Sequence, residues 1–165
     1  MLILGLDPGS RHTGFALLEA QGDHLEAVDF GRFSSPTKHS VPRRLASIVE
    51  QLTELLDRHA PRVAVLETPF HGLNSRSLVV LAQARGALLA TLASRSIEIA
   101  EYSPAEVKNA VAGSGRADKT QVARMVSVLL TLDTTRLSSD AADALAIAIC
   151  YAHRNRFERL VGGSR

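Results

Sequence analysis

The chain has 165 residues, 45% of them hydrophobic and 22% charged, which fits one domain with a full core. No apolar run approaches the roughly 20 residues of a membrane span, Asp7 comes too soon for a secretory signal peptide, and a single cysteine, Cys150, excludes an internal disulfide or zinc framework. A formal charge of +2 and a pI near 9.0 make a mild basic bias, compatible with nucleic acid; a cytoplasmic protein without membrane partners is expected.

Leu2 to Leu6 is an apolar run that ends at Asp7 and the turn signal Pro8-Gly9-Ser10. Residues 14–19 and 25–33 read as two strands around the hairpin turn Gln21-Gly22-Asp23, giving an antiparallel meander with the first. After the Ser34–Thr37 loop, Leu45, Ile48, Val49, Leu52, Leu55 and Leu56 recur at helical spacing until Pro61. A second buried-strand pattern, 62–66, ends at Glu67 and Pro69. A helix is expected over 75–93, a strand over 96–102, and a short helix opened by a capping box, Ser103 with Glu106, with Pro104 at its first position. Gly113 and Gly115 break it. Another helix carries Val122, Met125, Val126, Leu129 and Leu130 on one face, and a last one begins near Asp140. Residues past Arg154 read as a frayed tail. This order makes a mixed sheet flanked by helices, one α/β domain.

Four acids stand at the ends of these elements. Asp140 and Asp143 share a helix face, and for this pair alone capping and the helix dipole are the leading explanation, because caps are common and metal pairs rare. Asp7 and Glu67 sit beyond the carboxyl ends of buried strands, where ligands of open α/β sheets bind. Together the four favour a site for hard, oxygen-seeking ions such as Mg²⁺ or Mn²⁺. Two such ions about 4 Å apart clamp the attacking water and the leaving oxygen of an in-line phosphodiester displacement. Asp7, ending the central strand, is best placed to bridge them. Only Lys38, Lys108 and Lys119 are lysines, against 16 arginines. Lys119 follows Gly113-Ser114-Gly115-Arg116 at a helix start, where backbone N–H groups attract phosphate; an ordinary solvated lysine is the alternative. The six histidines show no ligand spacing, and Cys150 lies in an apolar helical stretch suited to the core.

Leu6-Asp7-Pro8-Gly9-Ser10-Arg11-His12-Thr13-Gly14 resembles the first motif of RuvC-type Holliday-junction resolvases. So do Glu67-Thr68-Pro69-Phe70, Gln83-Ala84-Arg85-Gly86, Ala117-Asp118-Lys119-Thr120-Gln121-Val122 and Asp140-Ala141-Ala142-Asp143-Ala144-Leu145-Ala146, in the family's order from Leu2 to about Tyr151. The resemblance implies a ribonuclease-H-like fold with a mixed five-stranded sheet over residues 1–153 and a basic, frayed tail over 154–165. It implies a homodimer that binds four-way junction DNA and nicks two strands of like polarity symmetrically, during recombination and repair. Two Mg²⁺ or Mn²⁺ ions per site would be held by Asp7, Glu67, Asp140 and Asp143, with Lys119 also catalytic. Phe70, Asn74, Arg76, Lys108, Arg116 and Lys119 would contact DNA, and a branch-migration helicase complex of RuvA and RuvB type is the implied partner. Phe70 reads equally as a core aromatic. Pro69, His71 and Leu73 depart from the family's usual loop, and the tail is short.

Three other readings compete. Asp7 to Gly14 also resembles the first phosphate loop of actin- and Hsp70-like ATPases, but 165 residues cannot supply two lobes. A ribonuclease-H-like nuclease of YqgF type shares the Asp-x-Gly opening, yet lacks the Asp140–Ala146 and Gln83–Gly86 patterns. A junction-binding protein without catalysis is disfavoured by the presence of all four acids. The 75–93 helix carries Leu78, Val79, Leu81, Leu88, Leu89 and Leu92 on more than one stripe, as expected if one packs on the sheet and another on a second subunit. A wholly buried core helix is the alternative.

Overall fold

The computed structural model describes residues 1–9, 11–68, 75–133, 135 and 137–162, with residues 75–76 and 159–162 described by backbone alone. Strands β1 (Leu2–Asp7), β2 (His12–Gln21) and β3 (His24–Ser34) form the antiparallel meander. Helix α1 (Val41–His59) returns the chain to β4 (Val63–Glu67), and α2 (Ser75–Ser94) leads to β5 (Glu98–Tyr102). Helices α3 (Pro104–Ala112), α4 (Lys119–Leu130) and α5 (Ser139–Gly162) complete the chain. The sheet order is β3-β2-β1-β4-β5, with β1, β4 and β5 parallel. The mixed five-stranded sheet therefore has β1 at its centre.

Strand alternation divides the core in two. Ile3, Val63 and Val65 face α3, α4 and α5, whereas Leu4, Leu6, Ala64 and Leu66 face α1 and α2. Burying such side chains contributes roughly 1.5–3 kcal/mol each for the Leu, Ile and Val members. Asp7 continues the odd-numbered side of β1 and Glu67 that of β4, so both acids turn toward α5. Helix α5 can reach them because two glycines let it lie against the strands. A Cβ at Gly5 would collide with the carbonyl oxygen of Ala144, and one at Gly14 with that of Asp140. The small residues Ala141, Ala142, Ala144, Ala146 and Ala148 are all buried in that contact.

The capping box of α3 forms as its sequence predicts: Ser103 Oγ accepts from the Glu106 amide at 3.3 Å, and Glu106 Oε2 accepts from that of Ser103 at 2.9 Å. The bond from the Ser103 amide, with a second donated by the Ser103 hydroxyl at 2.8 Å, holds the Glu106 carboxyl below its usual range. Cys150 is fully buried, and burial pushes its thiol up to about 11.

Three expectations are corrected. The tail is not frayed from residue 154: α5 continues to Gly162. Arg154 lies over the Tyr102 ring, 5.3 Å from its centroid, and pairs with Glu106 at 2.9 Å, while Arg156 pairs with Asp23 at 2.6 Å. These contacts anchor the helix where composition alone promised none. Second, α2 is long and apolar enough, by length and composition, to cross a bilayer. Gln83, Arg85 and Gly86 interrupt its apolar run and hid this in the sequence. In the fold it is a core-facing helix, with Ala84, Leu88 and Leu92 buried. Third, the inward stripe of α1 contains Arg44 together with Ile48, Leu52, Leu55 and Leu56, while Leu45 and Val49 are only half-buried.

Candidate active site

Asp7 ends β1 beside Gly14 of β2, its antiparallel partner. The turn that follows is braced by Thr13, whose buried hydroxyl donates to Gly9 O at 2.8 Å and accepts from Gly9 N at 3.3 Å. Glu67 ends β4, the parallel neighbour on the other side of β1. The carboxyl ends of the two central strands thus present one acid each, and the first turns of α5 descend on them.

The start of α5 separates the two readings of its diacid. Ser138 Oγ accepts from the Ala141 amide at 3.3 Å, and Ser138 O accepts from Ala142 N at 2.9 Å. Ser138 is the N-cap, so Asp140 and Asp143 are released from capping and both lie inside the helix. Asp143 points into a pocket of about 210 Å³ that it shares with Asp7, Glu67, Lys108 and Lys119, over an apolar floor that includes Val107 and Ile147. Asp140 lies outside that pocket, on the β2–β3 side, with Arg32 at 3.7 Å.

The electrostatics show how crowded the acids are. Burial, reinforced by the charges of Asp143, Glu67 and Asp140, pushes Asp7 up to about 7, against a partial opposing pull from Lys119. Glu67 is raised as well, by burial and by Asp143, with Lys119 and Lys108 acting against the rise. Like charges in a low-dielectric cleft disfavour joint ionisation. A cation relieves that repulsion, and an all-oxygen donor set of this charge fits hard divalent ions and not zinc. Among the described residues no three acids already close into a cage. The helix carboxylates instead face side-chain cations, Asp143 the Lys119 Nζ at 3.0 Å and Asp140 the Arg32 guanidinium. The bond to Asp143 and its charge raise the Lys119 ammonium above its ordinary value, so it is charged throughout the physiological range.

Lys119 is the first residue of α4, behind an Asp118–Gln121 capping box. Lys108 projects from α3 into the same pocket. Arg116 is exposed on the α3–α4 connection and does not line it. Phe70 and Asn74 lie outside the described residues, as does the side chain of Arg76.

Two participants were not assigned a role from the sequence. Arg85 of α2 is 8% exposed; its Nη1 donates to Glu67 O at 2.6 Å and its Nη2 to the Glu101 carboxylate of β5. It therefore ties the end of β4, with its acid, to α2 and β5. A charged residue inside an apolar helix was the available signal. Arg32, opposite Gly14 on β3, carried no local signal because an arginine on an edge strand is ordinary.

The family model of the crossover junction endodeoxyribonuclease RuvC matches residues 3–151. The RuvC of Geobacter sp. (strain M21) is 40% identical over the full length of both chains. That of Bordetella parapertussis is 44% identical, covering 97% of this chain and 90% of its own. Among solved structures, T. thermophilus RuvC in complex with Holliday junction substrate superposes with a TM-score of 0.88 at 28% identity, covering 95% of this chain and 96% of that one. The yeast mitochondrial Holliday junction resolvase Ydc2 shares the fold, with a TM-score of 0.72 at 12% identity, covering 98% of this chain and 82% of its own. By sequence over nearly its whole length, and by a five-stranded fold with acids at its centre, this chain belongs to the RuvC family of crossover junction endodeoxyribonucleases.

Proposed function

We propose that this protein is a structure-selective endonuclease that resolves four-way DNA junctions by paired, symmetric, metal-dependent nicks during recombination and repair. The observation that carries the reading is the convergence of acids from β1, β4 and α5 around Asp7, whose carboxyl is pushed to about 7. So costly a cluster is accounted for by divalent cations that it binds.

Asp7, Glu67, Asp140 and Asp143 are the residues that would hold Mg²⁺ or Mn²⁺, two ions per site, with Asp7 between them. Bound there, the ions supply a water of lowered pKa and neutralise charge on the phosphate. The carboxylates would fix the ions at the strand ends, and the apolar floor of the pocket strengthens every charge interaction above it. Lys119, held by Asp143, sits where an ammonium stabilises charge developing on the phosphoryl oxygens. Lys108, Arg116, Arg76, Phe70 and Asn74 are the proposed further DNA contacts.

Paired nicks on strands of like polarity require two equivalent sites related by a two-fold axis, so the active form is a homodimer. Helix α2 supports this: its Val79 is 57% exposed on the side away from the core residue Leu88, and Leu78 in its first turns is 37% exposed. Light scattering should give twice the chain mass at micromolar concentration. A monomer with full paired cleavage would exclude the dimer. A branch-migration complex of RuvA and RuvB type is the proposed partner, in the cytoplasm.

The test is cleavage of a synthetic four-way junction, its linear duplex arms and a structured RNA, with Mg²⁺, with Mn²⁺ and with chelator. Symmetric nicks confined to the junction and to the metal-containing reactions are expected. Equal cutting of the duplex, or preferential cutting of RNA, would overturn the reading.

A further inference from the structure

Among the described residues, three buried side-chain polar atoms have no hydrogen-bond partner: Ser35 Oγ, His39 Nδ1 and Arg44 Nε. All three fall in the ten residues that link β3 to the first turn of α1. Arg44 matters most. It is 8% exposed, as buried as Arg85. Arg85 spends its guanidinium on Glu67 and Glu101, whereas the buried Nε of Arg44 has no hydrogen-bond partner among the described residues. A buried N–H without an acceptor is unfavourable unless a ligand supplies one.

Its position says where that anion comes from. Gln51 of α1 clasps Ser34, the last residue of β3, accepting from its N–H at 3.2 Å and donating to its carbonyl at 3.1 Å. Arg44 lies seven residues earlier, about 10 Å along the helix at 1.5 Å per residue. It is therefore carried past the end of the sheet, and a helical side chain leans further toward its own N-terminus. Ser34 is opposite His12 and Asp7 is opposite Gly14, so this is the sheet end that bears the acids. Ser35, 4% exposed, follows the buried Phe33 by two residues and so faces the same α1 side.

The first turn of α1 fits an anion as well. Its N-cap, Ser40, makes no side-chain cap bond, and no acid stands in the turn. Lys38 and Arg43 are exposed beside it. A helix dipole without an acid to oppose it and an arginine Nε without a partner together match the needs of a phosphate. Strand and layer spacings put this cluster on the order of 15–20 Å from Asp7, on the opposite face of the sheet.

We propose that Arg44, with Ser35 and the N-terminus of α1, forms a second phosphate subsite that grips the DNA backbone away from the cleaved bond. It rests on the junction-binding reading above for its ligand. The subsite positions the DNA and does no chemistry.

The test uses the full-length protein and a synthetic four-way junction in chelator, so that binding is read without cleavage. Arg44→Met should bind the junction about tenfold more weakly, the worth of one charge-assisted hydrogen bond. The slope of log affinity against log salt should become shallower by about 1 per protomer. Without DNA, the Tm of Arg44→Met should not fall, because the variant loses a buried N–H that has no acceptor and keeps the volume. Arg44→Lys should keep the salt slope. Arg58→Met, the same charge lost from the last turn of α1, should leave affinity and slope unchanged. Wild-type affinity and slope in Arg44→Met would overturn the subsite, as would an equal loss in Arg58→Met. A lowered Tm, or no folded Arg44→Met at all, would make Arg44 structural and overturn it too. A parallel arm reads the Tm in inorganic phosphate. If wild type binds no junction, the functional reading fails first. The subsite then survives, as a site for free phosphate, only if phosphate raises the Tm of wild type and not of Arg44→Met; the absence of that difference overturns it.

Discussion

Asp7→Asn should stabilise the metal-free protein while removing its nicking activity. In the fold, burial and the neighbouring acids push the Asp7 carboxyl from 3.8 to about 7; in the unfolded chain it titrates near its ordinary value. Between those values the folded state binds a proton that the unfolded state has released. Stability therefore falls as pH rises through this window, and the full cost persists above it. At 1.36 kcal/mol for each tenfold change in proton affinity, the ionised Asp7 costs on the order of 4 kcal/mol at pH 8. Asparagine keeps the shape and removes the charge, so most of that cost should disappear. Urea unfolding in chelator, at pH 5 and pH 8, measures it as the difference between the two proteins. At pH 8 the variant should be more stable by about 2–4 kcal/mol, which moves its midpoint by about 1 M or more at the usual slopes; at pH 5 the gap should be much smaller. Adding Mg²⁺ or Mn²⁺ should then stabilise wild type far more than the variant, because only wild type gains the binding free energy. A variant less stable than wild type at pH 8 would refute the reasoning, since Asp7 would then be a structural carboxylate with favourable partners.

Three further outcomes follow from the same geometry. Asp140→Asn and Asp143→Asn should lose nicking and stay as stable as wild type, whereas Ser138→Ala should cost about 1 kcal/mol in unfolding experiments and still cleave. Lys119→Ala should lower the single-turnover rate at saturating protein far more than it lowers junction affinity, because affinity is spread over many phosphate contacts; an unchanged rate would make Lys119 a solvated surface residue. Arg85→Met should weaken Mn²⁺ binding by about 10–100-fold in a DNA-free titration, the usual effect of disturbing a group that holds a metal ligand in place, and Arg85→Lys should recover only part of it because one ammonium cannot span both the Glu67 carbonyl and the Glu101 carboxylate.

The elements were legible because each rests on a local rule. The meander followed from strand patterns around Gly22, and the parallel strands from apolar runs that stop at acids. Helix α3 followed from Ser103, Pro104 and Glu106. The candidate acids were legible for the same reason, since each ends or begins an element. What could not be read was anything decided between elements. Ser138 takes the capping role from Asp140 by a shift of two residues, within the ordinary error of helix boundaries. Arg154 and Arg156 looked like tail residues until Tyr102, Glu106 and Asp23 came within reach. Arg44 carried no signal in the sequence, and its place in the buried stripe of α1 is decided by how that helix packs.

The relation of Asp140 and Asp143 to Asp7 is set by backbone against backbone. The carbonyls of Ala144 and Asp140 occupy the space that side chains at Gly5 and Gly14 would fill. Contacts of that kind do not relax through rotamers, so the distance between helix acids and strand acid is fixed before any ligand arrives. This rigidity accounts for how a fold tolerates four like charges in one place. The acids cannot separate without lifting α5 off the sheet, and that movement would expose the apolar face running from Ala141 to Cys150, which is buried except at Asp143. The repulsion registered at Asp7 is stored against that packing and becomes affinity for whatever cation relieves it. Preorganisation of this kind also suits an in-line displacement, in which a misplacement of about 1 Å can cost roughly a hundredfold in rate. Glu67 is held differently: β4 is hydrogen-bonded between β1 and β5, and the side chain of Arg85 adds a tie to the Glu67 carbonyl. Of the three elements that supply acids, β4 is therefore the one whose end is also tied by a side chain, and α2, which carries that arginine, has Val79 exposed at 57%.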